Sequence, residues 1–224
     1  MWGRLEEEIP SCRRCPRLVA YRESVGSSPP PRYRGWTYWS KGVTGFGDRA
    51  AWLWLIGLAP AAHGANRTGR MFTGDSSGDW LYRALYLTGF ANQPHSSHSG
   101  DGLVLQRAFI SAAIRCVPPQ NKPLPSELAA CFPYLSMEWA LLSSTVRVIV
   151  PLGHVAYKQL RQLFPQRKFP PFRHGEIHWI DHYAIILSYH PSQQNTRTGR
   201  LRWEEWLMIF RQARQICEAG TQER

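Results

Sequence analysis

The distribution of apolar residues along the chain predicts short buried strands. The clearest run, residues 51–56, is rich in Trp, Leu and Ile and is too short for a typical helix. Because Gly57 and Pro60 bound it, it is typical of a strand that is buried on both faces. Further strands are predicted at 108–114, at 145–151, and at 178–180 followed by 183–188.

Amphipathic helices are predicted between these strands. One is capped by Ser77 and ends at Gly89, and the next is capped by Ser126 and kinked at Pro133. Other helical segments are predicted within 2–24, at 154–164 and at 203–219, the last with the apolar stripe Trp206, Phe210, Ala213 and Cys217. Alternating strands and helices predict an α/β domain, with a mainly parallel sheet covered on both faces.

The chain has the length and composition of one globular domain. Its 224 residues are 43% hydrophobic and 19% charged. Residues 27–48 are rich in Pro, Gly and aromatic residues, and we expect this arm to pack on the domain rather than to link two folded halves. We therefore expect a single domain over 1–224, with the N-terminal segment and the arm packed on it.

The charge of the chain predicts a polyanionic partner. The formal net charge is +11, which favours nucleic acid first and an anionic membrane surface second. No apolar segment reaches the roughly 18 residues of a membrane span. The N-terminus, MWGRLEEEIP, is polar and acidic and unlike a signal peptide. We expect an intracellular protein without a membrane partner, whose cysteines are reduced.

Four of the five cysteines are candidate metal ligands. Cys12 and Cys15 form a C-x2-C pair, and Cys116 and Cys131 follow after a long gap. Four thiolates can bind zinc or an iron–sulfur cluster, and free thiols are the alternative. Cys217 lies on the apolar stripe of the last helix, where we expect a small core residue.

Polar loops after the predicted strands carry the candidate chemistry. His63, Asp75 and His190 follow the first and last strands, where ligands bind in open α/β sheets. Each has a structural alternative: Asp75 as a helix N-cap, and each histidine as a loop residue bonded to backbone. The tetrapeptide RTGR occurs at 67–70 and 197–200, and we interpret both copies as phosphate-binding turns. The arginines concerned are Arg67, Arg70, Arg197 and Arg200.

Four motifs together resemble the uracil-DNA glycosylase superfamily, and within it family five, the prokaryotic UDGb type. They are GLAPAAHG (57–64), RMFTGDSSG (70–78), CVPPQNKP (116–123) and HPSQQNT (190–196). The resemblance implies a three-layer α/β/α sandwich around a four-stranded, mainly parallel sheet. It also implies a [4Fe–4S] cluster on the four candidate cysteines, and a monomeric cytoplasmic enzyme associated with the nucleoid.

The implied activity is a monofunctional DNA glycosylase that removes uracil from double-stranded DNA and starts base excision repair. Such an enzyme flips the damaged nucleotide into a pocket. Asp75 would orient the water and His190 would stabilise the departing base. The resemblance and the loop chemistry give as base-binding residues Gly57, Ala59, His63, Phe72, Asn121 and Asn195.

One departure from uracil-specific relatives affects the predicted specificity. Those relatives place an Asn in the second strand, where this chain has Ala112, so a broad range of deaminated or damaged bases is expected. The alternative function is a non-catalytic iron–sulfur protein that binds DNA as a damage or redox sensor. An assay for base release from uracil-containing DNA separates the two.

Overall fold

A computed structural model describes residues 1–222, with side chains described through residue 219. Six strands form one sheet in the order β1-β3-β2-β4-β6-β5. The strands are β1 (Phe46–Gly47), β2 (Leu53–Gly57), β3 (Ala108–Ala112), β4 (Val148–Pro151), β5 (Ile177–Ile180) and β6 (Tyr183–Ile186).

The centre of this sheet is parallel, as predicted. β3, β2, β4 and β6 run parallel to one another, and their backbones are buried on both faces because helices cover the sheet from both sides. The sequence did not predict that the end of the arm adds β1 as an antiparallel edge strand. The strand predicted at 178–180 is β5, but the sequence did not predict that it forms the opposite edge of the sheet, antiparallel to β6.

Eight α-helices complete the described part of the chain. They are α1 (Trp2–Ser11), α2 (Pro16–Ser27), α3 (Ala65–Thr68), α4 (Ser76–Leu87), α5 (Pro125–Leu142), α6 (His154–Gln162), α7 (Gln193–Arg197) and α8 (Trp203–Gln222). None of the helices in residues 1–222 is long and apolar enough to span a membrane.

The helices form two layers with different cores. α4 and α8 pack on one face of the sheet, where all four stripe residues of α8 are fully buried. α5 and α6 pack on the other face, against residues such as Trp54 and Ile149. The predicted α/β/α sandwich is confirmed, but its sheet has six strands rather than four, because an antiparallel strand is added at each edge of the four parallel strands.

Two predicted helix caps are wrong. α4 begins at Ser76 and is capped by Asp75, not by Ser77. α5 begins at Pro125, one residue before the predicted cap Ser126, and the carboxylate of Glu127 accepts a hydrogen bond from the Leu124 backbone N–H. Asp75 accepts the Gly78 N–H as an N-cap does, whereas Glu127 lies in the first turn of α5 and reaches back to the backbone N–H that precedes the helix.

Candidate active site

The order of the strands creates a crevice at the carboxyl ends of β2 and β4. The chain leaves β2 for α4 on one face, and leaves β4 for α6 on the opposite face. Connections that diverge in this way open a crevice between the strands, where ligands bind in such sheets. The loops after β2, β4 and β6 therefore form the walls of the candidate site.

Asp75 lies at this edge, where it faces the loop that follows β2. Its Oδ1 accepts the Gly78 N–H at 3.0 Å and caps α4. A Cβ on Gly64 would collide with the Asp75 carboxylate, so this glycine lets the two loops meet. Burial is the largest influence on the carboxyl group and raises the pKa of Asp75 above its usual value. Asp75 therefore caps α4, and its catalytic role stays a prediction.

His190 enters the site from the end of β6. Its ring stacks on Phe72, with centroids 5.6 Å apart and planes inclined by 27°. Within residues 1–222 neither ring nitrogen makes a hydrogen bond, so the ring does not pin its own loop. The Asn195 amide instead donates to the His190 carbonyl at 2.8 Å. Burial lowers the pKa of His190 to about 4, so its imidazole is neutral at physiological pH.

Phe72 forms the floor of the site beside β2. Its backbone is in the left-handed region, at φ 53°, and a Cβ on Gly57 would lie 3.0 Å from its ring. The His190 ring covers one face of the Phe72 ring. Phe72 is 5% exposed, so the predicted stacking on a base requires the two rings to separate.

Two tyrosines of the arm that the sequence analysis did not assign to the site contact His63. Tyr38 Oη lies 3.0 Å from His63 Nδ1, and the Tyr33 ring centroid lies 5.8 Å from that of His63. Burial, followed by the charges of Arg32 and Arg67, lowers the pKa of His63. The sequence RYRGWTYW interleaves aromatic residues with cations, which is a signal for a binding surface. The predicted role of this segment was only to pack on the domain.

Arg67 and Arg70 do not point to solvent, which corrects their predicted role. Each is 5% exposed. Arg67 donates to the carbonyls of His63 and Gly74, at 2.8 and 3.1 Å. Arg70 pairs with Asp101 at 2.7 Å. These guanidinium groups hold the loops of the site together, and at 5% exposure each offers little surface to a phosphate.

The second RTGR copy is different. Arg197 and Arg200 are exposed, and the Arg200 guanidinium lies 4.5 Å from the Tyr189 ring centroid. The same tetrapeptide thus has two environments, because the first copy lies under the arm and the second, which begins at the last residue of α7, lies at the surface.

The remaining base-binding candidates lie in different surroundings. Asn121 is exposed and has a left-handed backbone, at φ 57°. Ala59 packs against the apolar cluster of Leu18, Ile114 and Cys116. The amide nitrogen of Asn195 is occupied by His190. Ala112 is fully buried and is the register partner of Gly57, so no polar side chain stands at that point of the floor.

The four candidate cysteines line one cavity at the junction of α1, α2, β3 and α5. Cys12, Cys15, Cys116 and Cys131 share it with Arg115. Within the described residues, no group of three or more His, Cys, Asp or Glu side chains is arranged to hold a metal ion. Burial raises the pKa values of Cys15, Cys116 and Cys131, that of Cys131 to about 12.

Two nitrogen donors point at these sulfurs. The buried Arg22 donates to Cys116 Sγ at 3.0 Å, and the Arg115 backbone N–H donates to Cys131 Sγ at 3.3 Å. Arg115 forms a buried ion pair with Glu138, whereas Arg22 makes no ion pair with any carboxylate in residues 1–222. Since a buried cation normally needs a charged partner, the surroundings of Arg22 favour negative charge on the sulfurs.

The fold and the site define a class: an α/β protein with a neutral histidine and a poorly solvated carboxylate at the carboxyl edge of a parallel sheet. Residues 44–213 match the Uracil DNA glycosylase superfamily. The chain belongs to this superfamily.

Several relatives are similar over nearly the whole chain. A type-5 uracil-DNA glycosylase of Thermus thermophilus is 46% identical over 94% of this chain and 96% of its own. That of Mycobacterium bovis is 45% identical, over 93% and 79% respectively. That of Pyrobaculum aerophilum is 41% identical, over 94% and 90%.

Proposed function

We propose that this protein is a uracil-DNA glycosylase that hydrolyses the bond between a deaminated base and its deoxyribose in double-stranded DNA. The observation that carries the proposal is the pair of Asp75 and His190 on two loops at one sheet edge, with both nitrogens of His190 free to bind a ligand. The relatives named type-5 uracil-DNA glycosylases support the same substrate.

The chemistry divides between these two side chains. Breaking the C1′–N bond leaves positive charge on the sugar and negative charge on the base. The carboxylate of Asp75 stabilises the sugar cation and orients the water whose oxygen bonds to C1′. A neutral His190 donates an N–H to the base oxygen, and this hydrogen bond strengthens as the base becomes an anion. As its oxygen bonds to C1′ the water loses one proton, and the departing base anion takes up a proton, so that the overall reaction consumes one water.

The apolar floor of the site supports a broad range of substrate bases. With alanine at position 112, no amide is available there to bond the uracil edge. A pocket rejects a wrong base strongly when that base leaves a buried polar group unpaired. We infer that hypoxanthine and other deaminated bases are also substrates.

The test uses duplexes that differ only in one base. We expect single-turnover base release from duplexes with uracil or hypoxanthine, detected as strand cleavage after alkali, and none from the matching normal duplex. Release of uracil alone would contradict the broad range. Binding to damaged DNA without release of any base would make the protein a sensor rather than an enzyme.

The four cysteines are proposed ligands of a [4Fe–4S] cluster. Each cysteine of such a cluster binds a different iron, so the thiolates lie farther apart than the ligands of a single ion. The four thiols surround one cavity but do not converge on a site for a single metal ion, and this arrangement fits the wider spacing of cluster ligands. The bound cluster would cross-link α1 and α2 to β3 and α5 through iron–sulfur bonds, and Arg22 would balance its negative charge.

Arg22→Met tests this assignment. We expect wild-type protein to be brown, with about four irons per chain, and the variant to retain less iron because the cluster loses its buried cation. The variant without iron should melt no lower than wild type without iron, since removing an unpaired buried charge does not cost stability. Arg13→Ala is the control, because Arg13 also lies beside Cys12 but pairs with Glu23 at the surface. Zinc in place of iron would contradict the cluster, and equal iron in all three proteins would contradict the role of Arg22.

Arg197 and Arg200 are the proposed phosphate ligands of the loop after β6. Both are exposed near His190, and contacts to phosphate position DNA without reading its sequence. We further propose that the enzyme acts as a monomer in the cytoplasm, where the nucleoid is accessible to it.

A further inference from the structure

The segment 31–41, here called the aromatic arm, has a composition suited to DNA. It contains three cations, four aromatic residues and no acid, in the sequence PRYRGWTYWSK. A positively charged surface with interleaved aromatic rings is the general means of binding an unpaired strand, because phosphates meet the cations and bases stack on the rings.

The aromatic arm is fixed in place by Arg67. The guanidinium carbon lies 4.4 Å from the ring centroids of both Tyr33 and Trp36. The backbone adds two hydrogen bonds of 3.0 Å, from Trp39 N–H to the Arg67 carbonyl and from Ser40 N–H to the Asn66 carbonyl. The buried arginine thus holds a preformed surface, which would lose little conformational entropy on binding.

The aromatic arm borders the candidate active site directly. Its Tyr38 contacts His63 in the loop after β2. A nucleotide flipped into the site leaves its neighbours in the same strand unstacked, and the arm is the next surface beside that loop. This juxtaposition gives the arm access to the strand that carries the damaged base.

The outer side of the aromatic arm is open to solvent. Trp36 is 46% exposed and Trp39 is 39% exposed. The three cations Arg32, Arg34 and Lys41 are also exposed. Large aromatic rings beside cations favour an anionic ligand with flat groups. A nucleic acid therefore fits this surface better than an acidic membrane, because lipid headgroups have no flat rings that could stack on the aromatic side chains.

We propose that the aromatic arm binds the damaged strand of DNA beside the flipped nucleotide. The cations Arg32, Arg34 and Lys41 contact its phosphates, and Trp36 stacks on an unpaired base. This inference rests on the proposed glycosylase function for the identity of the strand.

The first experiment removes the cations together. Binding to a duplex that carries a tetrahydrofuran abasic analogue is measured against salt for Arg32→Ala/Arg34→Ala/Lys41→Ala. We expect the slope of log affinity against log salt to fall by roughly two to three, since each lost phosphate contact removes about 0.7–0.9. The matched control changes Arg161, Lys168 and Arg211 to Ala, three exposed cations outside the loops of the site.

The second experiment addresses Trp36. We expect Trp36→Leu to weaken binding to the same duplex at least about fivefold, the lower end for loss of one stacked base, while Trp36→Phe binds like wild type. A lower melting temperature for Trp36→Leu with unchanged affinity would assign the ring to packing on Arg67 alone and overturn its stacking role.

The outcomes separate this proposal from the proposed function. An unchanged slope in the arm variant, or an equal loss in the control, overturns the DNA-binding role even if wild type releases uracil. A selective loss in the arm variant supports the arm as a DNA-binding surface even if wild type releases no base.

Discussion

Asp75→Asn is expected to lose at least about a hundredfold in the single-turnover rate of uracil release. The variant keeps a good N-cap for α4, because Asn and Asp cap helices about equally well, but it cannot stabilise the sugar cation or orient water as a base. The measurement is base release from a uracil-containing duplex at saturating enzyme. Near-normal rates would leave Asp75 as a helix cap only.

The same variant should be at least as stable as wild type at neutral pH. Burial raises the pKa of Asp75 in the folded protein, so the fold disfavours the charged form. The folded state then binds a proton more readily than the unfolded state, and wild type loses stability as the pH rises through the raised pKa. Asn has no charge to bury. The melting temperature of Asp75→Asn should therefore exceed that of wild type by more at neutral pH than at acid pH.

The pH dependence of the rate follows from the same shift. The reactive form of Asp75 is the carboxylate, so the wild-type rate should fall on the acid side at a pH above the usual range of an aspartate. We assign that fall to Asp75 and not to His190, whose pKa is lowered to about 4, so that its imidazole is neutral at physiological pH. The acid limb should therefore persist in His190→Ala. Its disappearance there would contradict this assignment.

His190→Ala is expected to slow the chemical step by about 10²–10³ while binding to abasic DNA stays nearly intact. This is the usual cost of removing one donor to a developing anion. The structure sharpens the expectation, because Asn195 and not the His190 ring bonds the loop backbone. Removing the ring should therefore not release the loop.

The discriminating comparison is between uracil and 5-fluorouracil in the same duplex. 5-Fluorouracil is the better leaving group and needs less stabilisation, so His190→Ala should lose less activity on it. Equal losses on both bases, together with a lower melting temperature, would assign His190 a structural role through its contact with Phe72. His190→Asn, which keeps an N–H donor, should recover part of the rate if a neutral donor is what matters.

The positions of the central strands and the long helices were decided by local sequence. Apolar runs that are too short for a typical helix favour buried strands, and the stripe of Trp206, Phe210, Ala213 and Cys217 repeats at helical spacing. The parallel order of the central strands followed because helices separate β2, β3, β4 and β6 from one another along the chain. The resemblance on four loop motifs then indicated the superfamily, which the comparisons confirmed.

Tertiary structure decided which side chains remain free for a ligand. Arg67 and Arg197 stand in identical tetrapeptides, but only Arg67 lies beneath Tyr33 and Trp36, so its charge is used inside the protein. The contact of Tyr38 with His63, and of Arg22 with Cys116, joins residues 25 and 94 positions apart. Such contacts depend on how the arm and the N-terminal helices pack against the sheet. Local sequence patterns carry no information about that packing, because the exposure of a side chain and its hydrogen-bond partners are set by residues that are distant in sequence.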